Sequence, residues 1–171
     1  MSSIKVFEGD LQARDLRFAI VAAKFNAFVV DRLLTGAIEA LQRHGASADH
    51  IVVARVPGAF DLPVIAKQLA ASGRYDAVVA LGAVIRGATP HFEYVSAECA
   101  GGLTRASLDT GIPIAFGVLT TENDEQAMER AGQSTTIKSA ADSHVDTLTG
   151  NKGADAALCA IEMANLVRAI Q

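Results

Sequence analysis

The run Arg86-Gly87-Ala88-Thr89-Pro90-His91 has the residue types of an anion seat beside a proton-transfer group. Gly87 permits close backbone approach, the Ala88 and Thr89 amides can face an anion, and Thr89 adds a hydroxyl. Pro90 and His91 open a helix whose dipole favours negative charge at that end, so a phosphate fits there. His91 then stands in the first helical turn as a candidate general acid or base. Three other clusters carry side chains of the kind that line ligand sites. They are Lys24-Phe25-Asn26, Pro57-Gly58-Ala59-Phe60-Asp61, and Phe116-Gly117 followed by a helix bearing Arg130. Each has a plain alternative: core packing for Phe25 and Phe60, a solvated helix end for Arg130, a water-facing helix residue for His91. The chain has no Walker glycine loop, no G-x-G-x-x-G and no His/Cys cluster. Neither a nucleotide cofactor nor a metal is indicated.

These clusters need a scaffold that gathers them, and the hydrophobic pattern describes one. Residues 16–23 read as a buried strand, and Val30, Leu33, Leu34, Ala37, Ile38 and Leu41 as one face of a helix stopped at His44-Gly45. Ile51–Val56 and Leu62–Ala71 repeat the pair, with Gly73 as the stop. Residues 75–81 form a third strand, followed by a helix from about Pro90 with Phe92, Val95, Cys99 and Leu103 on one face. Residues 113–120 form a fourth. Thr121-Glu122-Asn123-Asp124 then resembles a capping box opening a helix that runs to Ala131. Strand–helix alternation of this kind predicts a doubly wound α/β fold, a parallel sheet between helices. Ligands gather at the carboxyl ends of such strands, and the four clusters are expected at those tips, with Phe116-Gly117 at the fourth.

The chain's 171 residues suit one domain, able to bury roughly 70% of the unfolded surface. Half the residues are hydrophobic and 20% charged, which excludes a disordered chain. A net charge of −4 with scattered Lys and Arg argues against nucleic acid or an anionic membrane as partner. The two cysteines, Cys99 and Cys159, have no metal-ligand spacing and accord with a reduced, cytosolic setting. No apolar signal core follows Met1, and no run approaches a membrane span. Residues 154–170 form a last helix that is apolar nearly all round, which predicts burial on two sides and hence a partner subunit. Residues 133–149 are polar and rich in Ser, Thr and Asp, an insertion longer than an ordinary helix connection.

Arg86-Gly87-Ala88-Thr89-Pro90-His91-Phe92-Glu93-Tyr94 closely resembles the signature of the 6,7-dimethyl-8-ribityllumazine synthase family. So do Pro57-Gly58-Ala59-Phe60-Asp61-Leu62-Pro63, Gly117-Val118-Leu119-Thr120-Thr121-Glu122-Asn123, Glu129-Arg130-Ala131-Gly132 and Asn151-Lys152-Gly153. The resemblance runs in order along nearly the whole chain, residues 133–149 excepted. It implies a single domain of flavodoxin-like three-layer α/β sandwich form, with a four-stranded parallel sheet. It also implies a cofactor-independent, metal-free condensation of 5-amino-6-(D-ribitylamino)uracil with 3,4-dihydroxy-2-butanone 4-phosphate, the penultimate step of riboflavin synthesis. The amine forms an imine with the ketone, phosphate is eliminated, and ring closure with loss of water yields the lumazine.

By position in the resemblance, Phe25 stacks on the pyrimidine, and Ala83, Val84 and Ile85 fix its edge through backbone groups. Ala59, Phe60 and Asp61 line the ribityl pocket, and Ala88, Thr89 and Arg130 hold the phosphate. His91 transfers protons. Phe116, Arg130 and Lys152 come from a neighbouring subunit of a homopentamer, and riboflavin synthase is a further expected partner. The sequence departs from the family pattern in two places. Asp61 stands where Glu is usual, one methylene shorter. The 133–149 insertion precedes Asn151-Lys152-Gly153, where relatives have few residues; relatives with an insertion there tend to stay pentameric, so a pentamer is expected over a sixty-subunit shell. Competing readings on the same fold are a non-catalytic flavin- or lumazine-binding module and a shell-forming structural protein. His91 and Arg130 favour the enzyme, because passive flavin binding requires neither.

Overall fold

The computed structural model describes residues 4–133 and 150–171. Four parallel strands, β1 (Phe18–Ala23), β2 (Ile51–Val56), β3 (Ala77–Ile85) and β4 (Ile114–Thr121), form one sheet in the order β2-β1-β3-β4. Helices α1 (Ala27–Arg43), α2 (Leu62–Ala71), α3 (His91–Thr110), α4 (Asp124–Arg130) and α5 (Lys152–Ile170) connect and cover them. This is the expected α/β architecture, with the strand order of flavodoxin-like folds. The central strands β1 and β3 read as continuous apolar runs because both their faces are covered. On one face Phe18, Ile20, Val79 and Leu81 meet Leu33 and Leu41 of α1 and Ile161 of α5. On the other, Ala19, Val21 and Val78 meet Leu62 and Ala66 of α2 and Cys99 and Leu103 of α3.

Most elements fall where the pattern predicts, and the departures have local causes. β3 was expected to end at Leu81 but runs on to Ile85, so Ala83, Val84 and Ile85 are strand rather than loop. Gly82 sits inside the strand, paired with Val118 of β4, and Leu62 and Val118 leave little room there for a side chain. Phe116 and Gly117 do not lie at a strand tip. They are in the middle of β4, opposite Ala80 and Leu81, as a strand over 113–120 already requires, and the expectation of a tip position is corrected. The helix after β4 is capped by Asn123, whose Oδ1 accepts the Gln126 N–H at 2.9 Å, rather than by Thr121.

α5 begins at Lys152, two residues before the expected start, because Asn151 caps it. The buried Asn151 side chain accepts the Gly153 and Ala154 N–H groups at 2.9 and 3.2 Å. It donates to the carbonyls of Arg32 (3.0 Å) and Ala131 (3.1 Å). One amide thus joins α1, α4 and α5. Within this chain α5 buries one face, through Ala154, Ala157, Ile161 and Ala164; Cys159, Met163 and Ile170 stay exposed. Apart from Gln133, the polar 133–149 stretch lies outside the described residues.

Candidate active site

A cleft of about 510 Å³ opens at the carboxyl ends of β1, β2 and β3. Its wall includes Phe25, Ala59, Phe60, Asp61, Ala83, Val84, Ile85, Thr89 and His91, each of them a candidate from the sequence. Backbone bonds bring the tips together: the Lys24 N–H donates to the Val56 carbonyl at 2.8 Å and that of Phe25 to Pro57 at 3.0 Å. Phe25 and Phe60 are 71% and 62% exposed, so core packing does not account for them. The Asp61 carboxylate folds back to accept the Gly58 N–H at 2.9 Å, closing the 3-10 turn Ala59–Asp61. Gly87, Thr89 and His91 edge the cleft where α3 starts, and Ala88 is exposed within the same turn. His91 is the first residue of α3, so the turn amides before it lie at the positive end of the helix dipole.

Phe116, Arg130 and Lys152 line a different pocket, also of about 510 Å³, along the outer edge of β4. There Lys152 Nζ donates to Asp155 Oδ2 at 2.7 Å. Arg130 is exposed and has no ion-pair partner among the described residues. On the edge strand β4, Phe116 is 48% exposed. The fold therefore brings the His91 group and the Arg130 group to two separate places.

A sequence model of 6,7-dimethyl-8-ribityllumazine synthase matches residues 15–168. The chain is 55% identical over 165 residues to the protein of that name from Chlorobium luteolum, covering 96% of this chain and 97% of the relative. The chain belongs to the 6,7-dimethyl-8-ribityllumazine synthase family. It is also 57% identical over 165 residues to the Syntrophus aciditrophicus protein of that name, covering 96% and 98% of the two chains. With that of Clostridium kluyveri the identity is 52% over 168 residues, covering 98% and 100%. These relatives are named as synthases, and a non-catalytic module is not favoured.

Two residues that shape this family site stand in the sequence motifs without a role of their own there. Asn26 adopts φ 57°, ψ 42° at the N-cap of α1, and its Nδ2 donates to the Ala83 carbonyl at 2.9 Å. That bond ties the Phe25 tip to β3. In sequence it stands in the Lys24-Phe25-Asn26 cluster, and Asn is a residue tolerant of left-handed backbone. Arg86, noted only as part of a motif, makes a cluster of contacts where β3 ends.

Proposed function

We infer that this chain is the enzyme that condenses 5-amino-6-(D-ribitylamino)uracil with 3,4-dihydroxy-2-butanone 4-phosphate to 6,7-dimethyl-8-ribityllumazine, releasing phosphate and water. The observation that carries the assignment of roles is the division of candidate residues between the cleft and the β4 pocket of one chain. A head-to-tail ring, in which each β4 edge meets the next chain's cleft, completes the site between subunits. Phe25 then stacks on the pyrimidine, with the Ala83, Val84 and Ile85 backbone along its edge. Ala59, Phe60 and Asp61 face the ribityl chain. Ala88, Thr89 and the neighbour's Arg130 hold the phosphate, and His91 moves protons between the condensing groups. The neighbour's Phe116 and Lys152 close the far wall. Orientation of two bound substrates supplies much of the rate in this scheme, and one acid–base side chain the rest.

The ring is a homopentamer, supported by the apolar residues that α5 and the sheet edges leave exposed. The enzyme works in the cytoplasm, where its two free cysteines suit a reducing compartment, and riboflavin synthase is its further partner. The assay follows lumazine absorbance and phosphate release from the two substrates. Co-expressed His91→Ala and Arg130→Ala chains test the shared site. Random mixing in a head-to-tail ring leaves about a quarter of the sites with both native residues, so activity rises well above either variant alone. No recovery in demonstrably mixed rings would place both residues in sites of single chains.

A further inference from the structure

We propose that Arg86 is a positioning residue, a clasp that holds the 87–89 turn and the first turn of α3 against the β4–α4 connection. The inference rests on the functional reading above and assigns the turn's geometry to one side chain that need touch neither substrate. Arg86 directly follows β3, and its N–H donates to the Thr121 carbonyl at 2.9 Å as the last rung beside β4. From that fixed point the guanidinium reaches two elements. Nε donates to Glu122 Oε2 at 2.7 Å, in the connection between β4 and α4. Nη1 donates to Glu93 Oε1, in the first turn of α3. The guanidinium also lies 4.2 Å from the centre of the Phe92 ring, and Phe92 lines the cleft beside His91.

The Arg86–Glu93 pair closes the loop that contains the anion seat. Between its ends the turn has little else to hold it: Gly87 has open space around it, and Ala88, Thr89 and Pro90 are exposed. A planar guanidinium that engages two carboxylates and a ring fixes an orientation as a single lysine ammonium cannot. The same contacts argue against Arg86 as a phosphate ligand. One cation faces two carboxylates here, so the cluster carries net negative charge and two of the guanidinium's donor groups are occupied. The hydrogen bond from Arg86 holds the Glu93 carboxyl below the usual carboxylate range, so both ends of the clasp are charged at neutral pH. Each exposed pair alone contributes little stability; the role is geometric. Glu122 extends the clasp to the connection that leads into α4.

The test uses the full-length enzyme with Arg86→Gln, Arg86→Lys and Glu93→Gln variants. In Arg86→Gln the KM for the butanone phosphate rises and kcat falls, lowering kcat/KM about tenfold to a hundredfold, as a displaced reactive geometry does. The KM for the pyrimidine stays within about twofold, because its seat on β1 and β3 is anchored independently by Asn26. Arg86→Lys recovers only part of the loss, and combining Arg86→Gln with Glu93→Gln adds little to Arg86→Gln alone. Hydrogen exchange followed by mass spectrometry gives a readout free of activity: the amides of residues 87–89 and 91–93 exchange faster in Arg86→Gln while those of β3 do not. Wild-type kinetics and exchange in Arg86→Gln would overturn the clasp, as would equal rises in both KM values. A wild-type enzyme that forms no lumazine would instead overturn the functional reading, and is seen before any variant is made.

Discussion

Asp61 illustrates how one side chain serves both fold and site. Its carboxylate caps the turn that presents Ala59 and Phe60 to the cleft, through the 2.9 Å bond from the Gly58 N–H. Asp61→Ala should therefore cost about 1 kcal/mol as a lost cap and weaken pyrimidine binding through the loosened turn. Asp61→Glu, which keeps an acceptor with a longer arm, should preserve both. Urea midpoints and fluorescence titration of the pyrimidine measure the two effects; a turn as stable with Ala as with Asp would remove this role. Cys99 gives a pH prediction at the same scale. Burial between α3 and the sheet pushes its thiol up to about 11, from an ordinary value of 9.0. The unfolded chain loses this proton first as pH rises, so folding stability contributed by the neutral thiol is intact below about pH 9 and declines toward 11. Urea midpoints across that range should fall less steeply in Cys99→Ala than in the wild type, after allowance for that variant's lower starting stability.

At the scale of elements, the contact between α1 and α5 depends on glycines. A Cβ on Gly153 would overlap the Leu33 carbonyl of α1, and one on Gly36 would collide with the Asn151 side chain. Alanine favours a helix by about 1 kcal/mol over glycine, but here the obstacle is backbone of a neighbouring helix, which no rotamer change relieves. Gly153→Ala should thus destabilise by about 1–3 kcal/mol. Gly101 in α3 is the control: it meets nothing within 4 Å, so Gly101→Ala should stabilise by about 0.5–1 kcal/mol. Denaturant midpoints with unchanged slopes decide both, and a neutral Gly153→Ala would mean that α1 and α5 are not so closely seated. Because α5 carries Lys152 and Cys159 into the β4 pocket, the same substitution also shifts that half of the site.

Among the described residues of the whole molecule, the strand order leaves both sheet edges open, β2 with Val52 and Val53 exposed and β4 with Phe116 exposed. Uncovered apolar edges are a liability in an isolated chain, and a ring that covers them also completes the site. Sedimentation of the 17.8 kDa chain at neutral pH should therefore give a pentamer as the dominant species. A free monomer at micromolar concentration would overturn the shared-site reading. A sixty-subunit particle would instead overturn the expectation drawn from the 133–149 insertion.

Local chemistry was legible from the sequence alone. Apolar patterning placed β2 and α2 to the residue, and the Gly87 turn before Pro90 and His91 marked the start of α3, because such signals depend only on near neighbours. The motifs likewise named the side chains that the cleft gathers. Three features were decided by the tertiary structure. β3 runs through Gly82 to Ile85 because it pairs with β4 along that length, a fact about residues far apart in the chain. The pairing of Phe116 with Ala80 is set by the register that β4 takes against β3. The division of the site follows from strand order, which puts β4 at an edge and so turns Phe116, Arg130 and Lys152 away from His91. Periodicity tells a strand which faces to bury; only packing against its neighbours decides whether it stands at the centre of the sheet or at its edge.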